Sequence, residues 1–305
     1  MPNRTRKQYY CVIAATLLLC LLPSIPAHAD SLIADPDQYG FAQQYLLMLI
    51  NHERSQAGLG KVRLDPLAGQ AAKQHADEML AGGYFSHWNR DGLKPTRRFN
   101  LLGGFDAVGE NIYYAHNHRG GIQELLDKAI ATLMASEGHR KTILGANYTH
   151  VGLGMASSAD GSQFYLAQEF MARLGGEYRF PLEARVGERP VVSGRYDPVV
   201  FEFAQLVVGY EDLPQPRDVL WLNRTEEYRD GERLLTGYTP HANLRFDGLE
   251  TSHEIQVDSV AGRFSCAVLL DFKGKPGTYY IFVWLKHRST GKGLLAATAA
   301  IEVRH

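Results

Sequence analysis

The chain has 305 residues, of which 45% are hydrophobic and 21% are charged, and its formal net charge is -1. A chain of this size can bury two cores or one large one. The balanced charge gives no reason to expect a nucleic-acid partner, because phosphate binding needs a basic surface that releases counterions. We also expect no transmembrane segment beyond the N-terminal stretch, because no later run is long and apolar enough.

Residues 1–29 are predicted to form a secretory signal peptide. Arg4 and Arg6 give a positive start, an apolar run extends from Cys11 to Leu22, and Ala27-His28-Ala29 has the small-x-small pattern of a cleavage site. An uncleaved anchor is the alternative, although the apolar run is shorter than the roughly 20 residues that span a bilayer. We therefore expect a secreted, periplasmic or envelope-associated protein.

The cysteine content indicates that the mature protein is stabilised by its buried core and not by disulfide bonds. Cys11 and Cys20 lie within the predicted signal peptide, so Cys266 would stand alone after cleavage. A single cysteine cannot form a disulfide within its own chain. The apolar run around Cys266 predicts a small core residue and not a nucleophile.

The segment from residue 35 to residue 176 has the pattern of an α+β domain. Apolar residues recur at helical spacing before Gly58, and Asp65-Pro66 marks the start of a second helix. A third helix is predicted over Ile122–Ala135. Strands are predicted over His150–Ala156 and Phe164–Ala172, with a hairpin turn between them.

The segment from residue 181 to residue 305 is predicted to be an all-β sandwich whose role the sequence does not define. Short runs rich in β-branched and aromatic residues alternate with turn signals, and helix patterns are missing from it. The predicted strands are Val199–Tyr210, Val219–Leu222, Glu254–Val257, Phe264–Phe272, Thr278–Lys286 and Leu294–Val303.

A series of short strings in the first segment carries a family resemblance. The strings are Asn51-x-x-Arg54, Leu64-Asp65-Pro66, Phe85-Ser86-His87, Gly109-Glu110-Asn111-Ile112, Ser136-Glu137-Gly138-His139-Arg140, Val151-Gly152-Leu153-Gly154 and Gln168-Glu169-Phe170. In this order they resemble the bacterial branch of the CAP superfamily (cysteine-rich secretory, antigen 5 and pathogenesis-related proteins, with the SCP domain), over about residues 40–175. The resemblance implies an α-β-α sandwich with a cleft that two histidines and acidic residues line.

The same strings place the cleft residues. The resemblance assigns one histidine to His87, an acidic partner to Glu110 and the second histidine to His139. Glu137, two positions before His139, is the candidate for a fourth cleft residue. The sequence departs from the family at Leu133, where members often carry a tryptophan.

Metal binding at His87 and His139 is implied by the resemblance, with zinc or another divalent cation as the cofactor. Two imidazoles and a carboxylate suit such a metal, and an open position could hold water. The alternative is a hydrogen-bonded polar cluster that stabilises the cleft without a resident metal. The separations between His87, Glu110 and His139 are much larger than those of local zinc motifs, so the residues alone do not decide.

Other polar residues are predicted to have structural roles. His75 is expected at the edge of the core, and the pair Arg97-Arg98 is expected on the solvated surface. Asn111 and Gln168 are expected to satisfy buried backbone groups. A serine hydrolase based on Ser86 is disfavoured, because no Gly-x-Ser-x-Gly turn surrounds it.

The sequence favours an exported protein that binds a ligand or partner, such as a lipid or a cell-envelope component, through the His/Glu-lined cleft without strong catalysis. The second domain would act as an adhesion or presentation module. The alternative is a metal-dependent hydrolase of peptide or envelope polymer, with Glu110 as the general base. Aromatic residues at Phe85, Trp88, Tyr113 and Tyr114 could line a groove or pack in the core.

Overall fold

The computed structural model describes residue 33 and residues 35–224, 227–240 and 249–305. The predicted signal peptide, residues 1–29, lies outside the described residues. In the described part of the chain, an α+β region is followed by an all-β region, which confirms the predicted fold class. None of the described helices is long and apolar enough to cross a membrane.

The first region contains a four-stranded sheet with helices on both faces. Its elements are α1 (Pro36–Gln56), β1 (Arg63–Leu64), α2 (Pro66–Gly82), α3 (Pro95–Leu101), β2 (Ala107–His116), α4 (Ile122–Ala135), α5 (Glu137–Ile143), β3 (His150–Ser157) and β4 (Gln163–Ala172). The strand order is β1-β3-β4-β2, with β1 parallel to β3 and the other pairs antiparallel.

Two apolar cores make this region a three-layer sandwich. On one face of the sheet, Leu46 of α1 and Leu126 of α4 pack with Phe170 of β4. On the other face, Ala76 of α2 packs with Ile112 of β2. Because side chains alternate across a strand, β2 contributes to both cores.

Helix α2 lies unusually close to the sheet because two glycines of β3 leave room for it. A Cβ atom at Gly152 would collide with the backbone of Ala68, and one at Gly154 would collide with the backbone of Ala72. Asp65 caps the helix, since its Oδ1 accepts a hydrogen bond of 2.9 Å from Ala68 N. His75 lies on this helix and faces Glu110.

The second region is a β-sandwich. Its elements are β5 (Gly175–Arg179), β6 (Glu183–Arg185), β7 (Val191–Tyr196), β8 (Phe201–Glu211), α6 (Val219–Leu222), β9 (Arg233–Tyr238), β10 (Glu250–Ser252), β11 (Ile255–Asp258), β12 (Arg263–Ala267), β13 (Gly277–His287) and β14 (Gly293–Arg304). A six-stranded sheet in the order β10-β9-β8-β13-β14-β6 packs on a four-stranded sheet in the order β11-β12-β7-β5. Cys266 lies in the core between them, and burial raises the pKa of its thiol to about 12.

One predicted strand is wrong. Val219–Leu222 forms the short helix α6, because Asp218 Oδ1 accepts a hydrogen bond of 2.8 Å from Trp221 N and caps a helical turn. The chain on both sides of α6 leaves the sandwich and crosses the first region. We call residues 213–224 and 227–230 the strap.

Helix α3 connects the two regions. The Arg97 guanidinium donates to the carbonyl oxygen of Ala300 at 2.8 Å, and Asn100 Oδ1 accepts from Ala300 N at 2.6 Å. Arg97 and Arg98 are both buried, so the expectation that they form a solvated basic pair is wrong. Buried polar partners, which the local sequence does not show, keep them in the interior.

Candidate functional site

A pair of carboxyl groups forms the centre of the site. Glu110 on β2 and Glu169 on β4 are direct partners in the antiparallel register, and both side chains are fully buried. Two carboxyl groups this close in the interior do not both ionise, because burial and mutual repulsion disfavour the second charge.

Glu110 is the ionised member of the pair. Its Oε1 lies 2.8 Å from His87 Nδ1, and its Oε2 accepts a hydrogen bond of 2.5 Å from Arg98 Nη2. Burial acts to raise the pKa of Glu110, but Arg98 and the two nearby histidines, His75 and His87, outweigh it and hold that pKa well below its usual value. Arg98 also donates to the carbonyl oxygen of His87 at 2.6 Å, so it fixes both cleft residues.

Glu169 is the protonated member. Burial and the neighbouring charge of Glu110 raise the pKa of Glu169 well above its usual value, against the opposing effect of Arg98. Its Oε1 lies 3.9 Å from Arg98 Nη2, whereas Glu110 makes the short contact with the same guanidinium. The pair therefore carries one negative charge, which Arg98 balances.

His75 extends the cluster from α2. Its Nε2 lies 2.8 Å from the carbonyl oxygen of Ser86 and 3.9 Å from Glu110 Oε2. Burial, followed by the charge of Arg98, lowers the pKa of His75, so the neutral ring donates to Ser86. The sequence predicted a core-edge histidine here but not its place beside Glu110.

Tyr228, from the strap, covers the cluster. Its ring centroid lies 4.9 Å from that of His87, and its hydroxyl oxygen accepts a hydrogen bond of 3.1 Å from Glu110 N. Burial, together with the charge of Glu110, raises the pKa of Tyr228 well above its usual value, so the side chain stays a phenol. No local sequence signal predicts a contact between residues 118 positions apart.

Further contacts hold the strap in the cleft. Trp88 meets the ring of Trp221 edge-on at 5.5 Å between centroids. Phe85 N donates to Asn223 Oδ1 at 2.8 Å. The second region therefore forms one wall of the site that the first region was expected to form alone.

Comparison with known proteins identifies the family of one part of the chain. Residues 47–170 match the model of the cysteine-rich secretory protein family, CAP. This part of the chain is a CAP domain. The chain is 26% identical over 137 residues to the uncharacterized protein YkwD of Bacillus subtilis, covering 45% of this chain and 51% of the relative. It is 32% identical over 133 residues to the uncharacterized membrane protein YlbC of the same organism, covering 43% of this chain and 35% of the relative.

Among solved structures, an extracellular protein containing a SCP domain from Bacillus anthracis is 29% identical, with a TM-score of 0.36. That match covers 45% of this chain and 43% of the other. The chain thus matches about half or less of the length of each of these three proteins.

The other two predicted cleft residues of the CAP domain, Glu137 and His139, lie on α5. His139 is half-buried on α5, and its carbonyl oxygen accepts a hydrogen bond of 3.1 Å from Asn111 Nδ2, whose side chain points to the face of β2 opposite Glu110. Burial lowers the pKa of His139, and the nearby His87 lowers it further. Glu137 is exposed and pairs with Lys141 Nζ at 2.6 Å, so the structure does not bring its carboxylate to His87.

The contacts of Glu110 limit which of its atoms could serve as a metal ligand. Within the described residues, no group of three or more His, Cys, Asp or Glu side chains is placed to hold an ion. His87 Nδ1 faces Glu110, and Arg98 occupies the position beside Glu110 that a cation would take. Zinc binding through His87 and His139 stays a prediction for calorimetry.

The aromatic residues divide between core and surface. Tyr113 is buried in the α1–α4 core, and Trp88 is partly buried against the strap. Phe85 and Tyr114 are each 37% exposed, with ring centroids 6.1 Å apart. We call this exposed pair the aromatic ledge.

Proposed function

We propose that the protein is an exported binding protein whose CAP domain contacts a lipid of the cell envelope, and that the buried cluster stabilises the cleft and performs no catalysis. The observation that carries the proposal is the state of Glu110, which is buried, ionised and neutralised by Arg98 beneath Tyr228. A general base needs a pKa near the working pH and access to the proton that it removes. Glu110 meets neither requirement.

The aromatic ledge supplies the contact surface. Phe85 and Tyr114 are both partly exposed, and Phe85 N donates a hydrogen bond to Asn223 of the strap, on which Leu220 is 70% exposed. Neighbouring exposed apolar side chains favour association with lipid or another apolar partner. The predicted signal peptide supports an exported location, and the β-sandwich supplies the strap that closes the cleft.

Vesicle co-sedimentation tests the binding role. We expect the protein to sediment with vesicles of phosphatidylethanolamine and phosphatidylglycerol. The double variant Phe85→Ser, Tyr114→Ser should weaken binding by about thirtyfold, because each partly exposed ring loses apolar contact worth on the order of 1 kcal/mol.

The matched control is Phe41→Ser. Phe41 is 49% exposed on α1, on the other side of the sheet from α2, and should not affect binding. Failure of the wild-type protein to bind vesicles, or an equal loss in the Phe41 variant, would contradict the proposal.

A second arm addresses the hydrolase alternative. The wild-type protein and Glu110→Gln should both show only background release of peptide from casein and of fragments from peptidoglycan, with or without added zinc. Hydrolysis by the wild-type protein that Glu110→Gln abolishes would establish an enzyme and overturn the non-catalytic role.

A further inference from the structure

The sheet β11-β12-β7-β5 of the β-sandwich has an outer face that forms an open groove of about 610 Å³. Alternation along the strands separates two sets of side chains. Val192, Phe264 and Cys266 point into the core, whereas Arg195 and Arg263 point to solvent in the groove. The groove lies on the second region, away from the CAP cleft.

The strand register arranges the polar side chains in neighbouring rows. One row contains hydroxyl and amide groups, because Ser193 pairs with Ser265 and Ser265 with Gln256. Arg179, which pairs with Ser193, ends this row. These groups offer hydrogen-bond donors and acceptors in a line across the strands.

The second row places two positive charges side by side. Arg195 and Arg263 are direct partners in the antiparallel register of β7 and β12. Like charges at directly opposed positions destabilise a sheet. Asp258 is the other register partner of Arg263, and Glu177 pairs with Arg195, so acidic neighbours offset part of this repulsion.

The acidic residues of the groove leave part of this positive charge uncompensated. Glu177 Oε1 pairs with Arg195 at 3.0 Å. Asp258 Oδ1 accepts hydrogen bonds from the backbone N–H groups of Val260 and Ala261, at 3.0 and 2.9 Å. Among the described residues, neither Arg179 nor Arg263 has a carboxylate within 4.0 Å.

We propose that this groove binds an acidic polysaccharide, with a carboxylate of the sugar chain held between Arg195 and Arg263. Guanidinium groups match carboxylates with two parallel hydrogen bonds, and the serine and glutamine row can bond sugar hydroxyls. The open shape suits an extended chain and not an enclosed small ligand. Phe264 is the aromatic residue in the lining and its ring is buried, so the groove offers no platform on which nucleic-acid bases would stack.

The groove and the aromatic ledge are separate surfaces, so each proposal can fail without the other. Binding is measured by calorimetry with carboxymethyl-dextran and with unmodified dextran, two polymers with the same backbone. We expect the protein to bind the carboxylated polymer, to bind it more weakly as salt rises, and to bind dextran at least tenfold more weakly.

The double variant Arg195→Gln, Arg263→Gln should lose at least tenfold in affinity for carboxymethyl-dextran. Its melting temperature should stay close to that of the wild-type protein, because the variant removes both the repulsion between the two arginines and the exposed ion pair of Arg195 with Glu177. Arg119→Gln is the matched control, since Arg119 is exposed outside the groove and should not affect binding. The Phe85→Ser, Tyr114→Ser variant should also bind the polymer normally.

Four results would overturn the inference. They are no binding of carboxymethyl-dextran by the wild-type protein, equal binding of unmodified dextran, equally tight binding of single-stranded DNA, and an equal loss of affinity in the Arg119 variant.

Discussion

Replacing Glu110 with glutamine removes the negative charge that balances Arg98 in the interior. Arg98 Nη2 lies 2.5 Å from Glu110 Oε2 and 3.9 Å from Glu169 Oε1. Removing one partner of a buried ion pair costs roughly 3–5 kcal/mol, because the other charge stays buried without its partner. Glu169 can lose its proton and compensate in part, so we expect a loss of about 3 kcal/mol in the free energy of unfolding at pH 7.

The matched control is the same substitution at the paired position. Glu169→Gln replaces a protonated carboxyl group with a neutral amide, so it should not destabilise the protein; at pH 7 it should stabilise it, because folding no longer requires this side chain to take up a proton. The double variant should lose more than the sum of the single changes, since Arg98 then has neither carboxyl group. Urea unfolding followed by circular dichroism measures all three proteins. Equal losses for the two single variants, or no loss for Glu110→Gln, would refute the assignment of charge within the pair.

The pH dependence of stability follows from the same assignment. The pKa of Glu110 is lowered in the folded state, so its contribution is present above the unfolded pKa of about 4.5 and is lost as the pH falls below it. The pKa of Glu169 is raised, so stability falls as the pH rises from about 4.5 through that raised pKa, by at most about 1.4 kcal/mol per pH unit. Glu110→Gln should therefore reduce the loss of stability below about pH 4.5. Glu169→Gln should reduce the loss of stability above that pH. Profiles parallel to that of the wild-type protein would contradict this.

Urea unfolding of two further sets of variants tests the contact of the strap with the cluster and the close packing of α2 on β3. Tyr228→Phe should cost about 1 kcal/mol, for one hydrogen bond to Glu110 N, whereas Tyr228→Ala should cost roughly 3–5 kcal/mol because it leaves a cavity over His87. Gly154→Ala should cost more than about 2 kcal/mol, because its Cβ would collide with the α2 backbone, while the control Gly69→Ala has open space and should gain up to about 1 kcal/mol.

Much of the fold could be predicted from local patterns. Helix α4 has the predicted bounds, Ile122–Ala135, and the β3–β4 hairpin forms where the turn signal stands. The cap at Asp65 also forms as predicted. Each of these features depends on residues within a few positions of one another, so the sequence carries the whole signal. The error at Val219–Leu222 has the same origin, because a short apolar run fits a strand and a helical turn equally well.

The candidate site could be predicted only in part. The family strings place His87 beside Glu110, and the structure brings these two together at 2.8 Å. Arg98, Glu169 and Tyr228 gave no such signal. Arg98 stands in a basic pair that resembles surface, and Tyr228 lies in another region of the chain.

The sequence by itself determined where the periodic helices and most strands form. It also contains the strings of a CAP domain and predicts an export signal. Only the tertiary structure decided which charges are buried and which residues meet in the cleft. Glu137 shows the difference, because its neighbour one helical turn away, Lys141, pairs with it at the surface, whereas sequence proximity to His139 had suggested the cleft. Burial and ionisation depend on groups that come together across long separations in the chain, and a local pattern contains no information about those distances.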